Sequence, residues 1–462
     1  MLRSRAATGA TRSRACSAPV TRSGRRPACR SRGSACPTEP SSRTLAPSPG
    51  WEGAVDEGLL EIADHIWRGE AAIEEHNPFS SPWKLTEIGD GLATISSLAN
   101  VHVIDTSDGL VFVDTGIFFF ATTIHASVRG WTKRPLRTAV YSHGHVDHVF
   151  GTGPFEEEAR ENGWPAPDVV AHENVPRRFD RYVRTAEYNA WINRRQFGIP
   201  QLTWPTEYRY PDTMYRDQHA FECGGERFEL HHARGETDDH TWTWVPGRRL
   251  ICCGDMFIWG TPNCGNPQKV QRYPGDWARA LREMTTLGAE ILLPGHGFPV
   301  MGADRIRTTL TETMNSGASL DDILHAVKPP ERLMERPWLR PIYDDPEFIV
   351  HNVWRLYGGW YDGNPSRLKP SLDAHVAREV AALAGGAGRL AERARELLDD
   401  GDLRLAGHLA EFAALAAQED GGIHAVRAEV NEARVAAEPS VMAKGIFGWA
   451  ARESRERTGP AQ

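Results

Sequence analysis

The chain has 462 residues, of which 40% are hydrophobic and 25% are charged, and its formal net charge is −8. These fractions are close to globular averages and exclude a wholly disordered or collagen-like chain. Apolar runs fall short of the roughly 20 residues that cross a bilayer, so we expect no membrane-spanning helix. The charge is uneven, because residues 1–50 contain ten Arg, no Lys and one acid, Glu39, whereas the remainder is strongly acidic.

Residues 1–50 are rich in Arg, Ser, Ala and Pro and lack apolar periodicity, which predicts a disordered leader. They have no apolar core of a secretory signal, but their composition is typical of an organellar transit peptide. Translation from upstream of the true start codon and a nucleic-acid-binding arm are the alternatives. Seven cysteines without framework spacing favour a reducing compartment. We expect a cytoplasmic protein, or an organellar one if the leader is a transit peptide.

The patterning from residue 51 onward predicts short strands interspersed with helices, which is typical of a layered α/β region. We predict helices at 57–68, 155–162 and 276–287. We predict strands at 92–96, 101–105, 110–114, 139–141, 168–171, 226–232, 241–245, 249–253 and 290–293. Residues 175–216 interrupt this pattern with eight Arg and many aromatic side chains. This insertion is interpreted either as a lid with an apolar lining or as a structural wrap over the sheet.

From about residue 345 the composition changes again. Residues 371–436 are rich in Ala, Leu, Glu and Arg at helical spacing, which predicts an antiparallel helical array. Within it, residues 387–400 and 404–418 are expected to form a helical hairpin.

The loop after the 139–141 strand contains four potential metal ligands within six residues. His143 and His145 can bind one ion from an extended loop, and Asp147 and His148 can bind a second. This density indicates a metal site rather than a set of structural histidines.

Two ions require further ligands at strand ends later in the chain. His296 follows an apolar strand, and Asp255 also ends one and has two oxygens with which to bridge both ions. The segment 234–241 offers several more candidates, and local chemistry does not choose among Glu236, Asp238, Asp239 and His240.

Four motifs resemble the metallo-β-lactamase superfamily, in the same order along the chain. They are VDTG at 113–116, HGHVDH at 143–148, GD at 254–255 and PGH at 294–296. The resemblance covers roughly residues 84–310 and implies an αββα sandwich with a two-metal site at one edge of the sheets. The superfamily normally has a His 19 residues before the bridging Asp, and Glu236 occupies that position.

Glu at this position is similar to the alkyl sulfatase branch of the superfamily. The segment YGGWYDGNP at 357–365 resembles the one that precedes the alkyl sulfatase dimerisation domain, and residues 371–450 resemble that domain. The chain departs from the branch at Asp255, where alkyl sulfatases carry Glu, and in the diverged segment 256–272. The expected domains are a leader at 1–50, a catalytic domain at 51–340 and a helical dimerisation domain at 341–456.

The resemblance implies a dinuclear site that contains two Zn²⁺, with Mn²⁺ or Fe as alternatives. One ion is expected on His143, His145 and Glu236. The second is expected on Asp147, His148 and His296, with Asp255 as the bridge and Asp147 and Asp255 as the catalytic carboxylates. A metal-bridging hydroxide is the expected nucleophile. Glu in place of a neutral His is expected to add negative charge to the site.

The expected function is hydrolysis of alkyl sulfates or similar anionic small-molecule esters. Asn263, Lys269 and Arg272 are the expected substrate contacts, because they follow the bridging Asp and can bind an anion. The alternatives are hydrolysis of a lactone, thioester, phosphodiester or β-lactam, an iron-dependent redox function, or a non-catalytic scaffold. The leaving-group acid is left open among His172, His231, His232 and His240. The helical tail implies a homodimer, and no nucleic-acid partner is expected, because the basic leader lies outside the matched region.

Overall fold

The computed structural model describes residues 58–76, 84–313, 331–362 and 364–458. These residues belong to one compact unit that spans 56–462. The predicted leader at 1–50 lies outside the described residues, and the domain boundary near residue 340 stays a prediction. Within the described residues, no helix combines the length and the apolar character that crossing a membrane requires.

The first sheet contains seven strands in chain order. Strands β1 to β4 pair in antiparallel fashion, whereas β4 to β7 are parallel. Ser107 and Asp108 join β3 to β4 as a tight hairpin turn. The strands are β1 Leu85–Gly89, β2 Leu92–Ile95, β3 Val101–Thr106, β4 Gly109–Val113, β5 Leu136–Val140, β6 Asp168–His172 and β7 Thr213–Tyr215.

The second sheet contains six strands in the order β13-β12-β11-β10-β9-β8. Strands β11 and β12 are parallel, and the other neighbours are antiparallel. The strands are β8 Gln218–Cys223, β9 Glu226–His232, β10 Thr241–Val245, β11 Leu250–Ile258, β12 Ile291–His296 and β13 Val300–Met301.

Helices cover the outer faces of both sheets. The helices of this part are α1 Leu59–Arg68, α2 Ala121–Trp131, α3 Gly153–Asn162, α4 Val175–Arg184, α5 Ala186–Phe197, α6 Pro274–Thr286 and α7 Ala303–Thr313. One apolar cluster joins the inner faces of the two sheets, and it includes Val111 and Val140 from the first sheet and Leu230 and Leu293 from the second. Two further clusters bury helices against the outer faces. The predicted αββα sandwich is therefore confirmed.

The all-helical region follows the sandwich. Its helices are α8 Glu331–Met334, α9 Pro346–Gly358, α10 Asp373–Ala384, α11 Ala387–Asp399, α12 Leu403–Ala416, α13 Gly421–Ala437 and α14 Val441–Arg457. Helices α10 to α13 share an Ala- and Leu-rich core, in which α11 and α12 form the predicted hairpin. Helix α14 packs on α5 so closely that a Cβ at Gly445 would collide with the backbone of Gln196.

Some elements differ from the sequence expectation. The strand predicted at 249–253 continues to Ile258, although its register with β12 shifts at Gly254, which has a φ of 50°. The insertion at 175–216 forms two helices, α4 and α5, before it returns to the sheet as β7. Within the sandwich, strands β1, β7, β8 and β13 and helices α2 and α7 were also not predicted.

Candidate metal centre

The candidate ligands come together where parallel strands end. Strands β4 and β5 end side by side, so Asp114 and the loop that begins at Ser142 are adjacent. Strands β11 and β12 bring Asp255 close to His296 in the same way. The β9–β10 connection contributes Glu236. The fold thus collects chemically active side chains from distant parts of the chain.

His143, His145, Glu236 and Asp255 form a first group, whose potential ligand atoms all lie within 4.8 Å of one another. Glu236 Oε2 is 3.4 Å from His145 Nδ1 and 3.8 Å from His143 Nε2. The two imidazoles approach to 2.8 Å between His143 Nε2 and His145 Nδ1. This spacing lets one small cation contact all four side chains.

Asp147, His148 and His296 form a second group, with Asp255 between the two groups. Asp147 Oδ2 is 3.6 Å from His296 Nε2 and 3.8 Å from His148 Nε2. Asp255 Oδ1 is 3.5 Å from His148 Nε2, and Asp255 Oδ2 is 3.3 Å from His296 Nε2 and 3.9 Å from His143 Nε2. The structure therefore brings together all seven residues that the sequence singled out as metal ligands.

Buried polar atoms in this cluster fit a divalent metal ion. His148 Nε2, Glu236 Oε2 and Asp255 Oδ1 are buried and have no hydrogen-bond partner among the described residues. Leaving such atoms unpaired costs free energy unless a ligand satisfies them. Imidazole nitrogens and carboxylate oxygens are donors that suit zinc and other divalent metals.

Asp114 orients two of the histidines, a role that sequence reasoning missed although it quoted the VDTG motif. Asp114 Oδ2 accepts from His148 Nδ1 at 2.7 Å and from the Ser142 hydroxyl at 2.8 Å. The oxygen of the same hydroxyl is 3.0 Å from His143 Nδ1 and can accept a hydrogen bond from it. With Nδ1 held by these contacts, both imidazoles direct Nε2 toward the cluster, which is how outer contacts orient ligating histidines.

His296 is held in the same manner by the backbone. Its Nδ1 bonds the carbonyl oxygen of Leu98. Asn100 donates to the carbonyl oxygens of Pro294 and Gly297 on either side of the turn, at 3.0 and 2.9 Å. The loop between β2 and β3 therefore fixes the turn that carries His296.

Asp239 and Arg178 fix the histidine loop from the other side. Asp239 Oδ2 accepts from the backbone N–H of Gly144 at 3.1 Å and from Arg178 Nε at 2.7 Å. Arg178, on α4, also pairs with Asp238. The Arg-rich insertion is thus tied directly to the segment between His143 and His145.

The electrostatics of the cluster depend on burial and on neighbouring charges. Burial lowers the pKa of His143 and His145 well below the usual value, which favours their neutral, ligating form. Burial disfavours the charged form of His148, but nearby carboxylates, chiefly that of Asp114, outweigh it and raise its pKa to about 10. Burial raises the pKa of Glu236 to about 7, against the opposing effect of Arg272.

The three residues expected to contact a substrate lie in different settings. Asn263 Nδ2 donates to Glu236 Oε1 at 2.7 Å, and Arg272, which is 1% exposed, pairs with the same oxygen at 2.5 Å. Lys269 is partly buried, and its Nζ donates to Asn193 on α5 at 2.8 Å. Of the three, Lys269 lies apart from Glu236, and its role as a substrate contact stays a prediction.

Tyr343 and His240 lie near the cluster. Tyr343 follows α8 along the chain, and burial together with Asp147 and Glu236 raises its pKa well above the usual value. No local sequence signal connects it to the site. His240, a candidate leaving-group acid, accepts from the backbone N–H of Asp255 at 3.0 Å through Nε2, so this nitrogen carries no proton.

Comparisons with known protein families give one match in the sandwich and one in the helical region. Residues 97–296 match the family model described as metallo-beta-lactamase superfamily, and residues 319–457 match the one described as alkyl sulfatase dimerisation. Each of the two regions thus matches the family that its sequence motifs resembled. The resemblance drawn from the sequence motifs is thereby confirmed.

Three curated enzymes are similar to this chain. A linear primary-alkylsulfatase of Pseudomonas sp. is 24% identical over 349 residues, which cover 67% of this chain and 65% of the relative. An (R)-specific secondary-alkylsulfatase of Pseudomonas sp. is 23% identical, and the match covers 72% of this chain and 56% of that relative. An alkyl/aryl-sulfatase of Saccharomyces cerevisiae is 23% identical, and the match covers 69% of this chain and 56% of that relative. The chain thus spans slightly more than half to just under two thirds of these relatives' lengths.

A solved structure shares the fold of this chain across both regions. The stereoselective inverting sec-alkylsulfatase Pisa1 from Pseudomonas sp. superposes with a TM-score of 0.72 at 21% identity. The match covers 82% of this chain and 66% of that one. The αββα sandwich and the helical region therefore occur together in both proteins.

Proposed function

We propose that the protein is a dinuclear metal-dependent hydrolase of alkyl sulfates or similar anionic esters. One observation carries this proposal: two groups of His and carboxylate ligands meet at Asp255 and contain buried donor atoms without hydrogen-bond partners. A carboxylate that lies between two ligand groups could hold two ions close together, which is the arrangement that two-metal hydrolysis uses. The alkylsulfatase names of the relatives support the choice of substrate class.

The ligand set favours two Zn²⁺, with Mn²⁺ or Fe as the alternatives. One ion is assigned to His143, His145 and Glu236, and the other to Asp147, His148 and His296. When bound, two such ions activate a water molecule and offset negative charge in the transition state. Asp255 holds the two half-sites at a fixed separation, and Asp147 contributes a second carboxylate beside them.

Lys269 is the proposed substrate contact for the negative charge of the ester. Its side chain lies near the ring of Trp204, with Nζ 5.9 Å from the ring centroid. Trp204 in turn meets Tyr182, at 5.4 Å between ring centroids. An ammonium group beside two aromatic rings suits a molecule with an anionic head and an apolar chain.

We further propose a homodimer formed through the helical region. The family description of residues 319–457 names dimerisation. Apolar side chains on this region are strongly exposed, among them Leu383 at 90% and Tyr357 at 75%.

A reducing, cytoplasmic environment is consistent with the free thiols that lie buried at Cys223, Cys252, Cys253 and Cys264.

The test is a substrate panel for the purified full chain loaded with zinc. Primary and secondary alkyl sulfates are compared with a lactone, a thioester, a phosphodiester and a β-lactam. We expect release of sulfate from at least one alkyl sulfate, and a loss of about 100-fold or more in Glu236→Ala, since this removes a ligand.

Two results would overturn the assignment. Turnover of another substrate class without any sulfate release would move the function to that class. Two iron atoms and no zinc in the native protein, together with no hydrolysis, would favour redox chemistry instead.

A further inference from the structure

The two carboxylate oxygens of Glu236 have different surroundings. Oε1 accepts from Asn263 Nδ2 at 2.7 Å and lies 2.5 Å from Arg272 Nη2. Oε2 faces the histidines at 3.4 Å from His145 Nδ1 and has no hydrogen-bond partner among the described residues. One oxygen is therefore held by protein groups, and the other is left for a metal.

Arg272 is held at both of its ends in this position. Its backbone N–H donates to Asn352 Oδ1 at 3.2 Å, and its Nη1 donates to the backbone carbonyl oxygen of Glu236. The side chain is 1% exposed, and burial of a guanidinium requires an opposite charge beside it. Glu236, which is completely buried, provides that charge.

We propose that Arg272 and Asn263 are positioning residues, which hold Glu236 Oε1 so that Oε2 alone binds a metal ion. This inference rests on the proposed metal site and changes the role expected from the sequence, in which both residues contacted the substrate. Arg272 also supplies one positive charge against the negative charge of Glu236. The pair is neutral overall, as is the His that the superfamily normally has at this position.

The charge compensation has a chemical consequence. A lone glutamate in a buried site would oppose the accumulation of further negative charge from an anionic ester. The adjacent Arg272 guanidinium removes most of that penalty. The positive and negative charges are so close together that their effects on a more distant anion largely cancel. Glu236 and Arg272 thus form a functional pair in which neither charge is tolerated alone.

A double-mutant cycle tests this coupling through metal binding. The full-length variants are Arg272→Met, Glu236→His and the double variant, and the measurements are zinc per chain and zinc affinity by chelator competition. We expect Arg272→Met to weaken the binding of one ion by about 10- to 100-fold. Glu236→His is expected to weaken it as well, because Arg272 is left buried without a partner. The double variant is expected to bind two ions more tightly than either single variant.

A pair of asparagines in the same loop provides a matched control that does not alter a buried charge. Asn263→Ala removes a contact to Glu236 Oε1, whereas Asn266→Ala changes an equally buried amide that contacts Gln268 and Met442. We expect weaker zinc binding and a changed visible spectrum of the cobalt(II) form only for Asn263→Ala. If Arg272→Met does not fold, the comparison of the two asparagine variants still tests whether contacts to Glu236 Oε1 support metal binding.

The outcomes separate this inference from the proposed function. Additive losses in the double variant, or equal zinc affinity in the two asparagine variants, would overturn the positioning role while the wild-type protein still binds two ions. A wild-type protein that binds no divalent metal would overturn the proposed function itself.

Discussion

Lys269 is a cation whose charge depends on its surroundings. Burial, and then repulsion from Arg272, lowers the pKa of Lys269 to about 8. A lysine with a lowered pKa is charged below that value and becomes neutral as the pH rises through it. The attraction of the site for an anionic ester is therefore expected to depend on pH near neutrality.

We predict that the KM for an alkyl sulfate rises as the pH increases from 7 to 9. Lys269→Gln should raise the KM at pH 7 by about 10-fold, the worth of one charged hydrogen bond, and should flatten this part of the profile. Lys133→Gln, which changes a lysine at the end of α2, is the control. An unchanged KM–pH slope in Lys269→Gln would contradict the role.

The candidate metal ligands could be predicted from the sequence where the signal lies in neighbouring residues. The four candidates at 143–148 stand together in the sequence, and Asp255 and His296 follow apolar runs. Asp114 and Asp239 were missed, because their roles depend on contacts with residues far away in the chain. The pairing of Arg272 with Glu236 was also missed. An Arg that binds a substrate anion and an Arg in a buried ion pair look the same in a sequence.

Strands β11 and β12 support Asp255, the proposed bridging carboxylate. A Cβ at Gly295 would lie 2.9 Å from the carbonyl carbon of Gly254 and closer still to Asp255 Oδ1. Gly254 has a φ of 50° and lies against Ser142 and His240, so it has little room to move. The two strands can approach this closely only with glycine at both positions.

We predict that Gly295→Ala displaces Asp255 and lowers zinc content to one ion per chain or fewer. The collision with backbone should also destabilise the fold by about 1–3 kcal/mol. The checks are metal analysis and urea unfolding. Gly130→Ala is the matched control, because an added Cβ on this α2 residue meets nothing within 4 Å. Full zinc content in Gly295→Ala would show that the close approach is not required.

Most elements of the sandwich were predictable because their strands are continuous apolar runs. Strand β8 was missed, since its side chains alternate between exposed and partly buried at the edge of the sheet. Strand β11 was predicted too short, because Gly254 and Asp255 resemble a strand end in sequence. The pairing with β12 nevertheless carries the strand through to Ile258.

The helical region is joined to the site by the segment that leads into α9. The backbone N–H groups of Gly260 and Thr261 donate to the carbonyl oxygens of Trp338 and Arg340, at 3.1 and 2.9 Å. The N–H of Gly265 donates to Asp344 Oδ2 at 2.7 Å. The loop that contains Asn263 and Lys269 is therefore shaped by residues outside the sandwich. Composition predicted the helices but gave no sign of this connection.

We predict that Asp344→Ala lowers both stability and metal affinity. Loss of the carboxylate leaves the buried N–H of Gly265 without its partner, at a cost of about 1–3 kcal/mol. The neighbouring Asp345→Ala is the control, because Asp345 caps α9 through the N–H of Glu347. It should cost about 1 kcal/mol and leave zinc binding unchanged. Equal zinc affinity in the two variants would contradict the connection.

The contacts between the loop at 260–272 and the residues from Trp338 to Asn352 also set an order of events during synthesis. The ribosome releases the loop well before it has made Asp344 and Asn352, which bind Gly265 and Arg272. The sandwich can collapse earlier, but Glu236 reaches its final partner only when α9 has been added. If the proposed metal site is correct, we expect metal acquisition to be a late step in the maturation of the nascent chain.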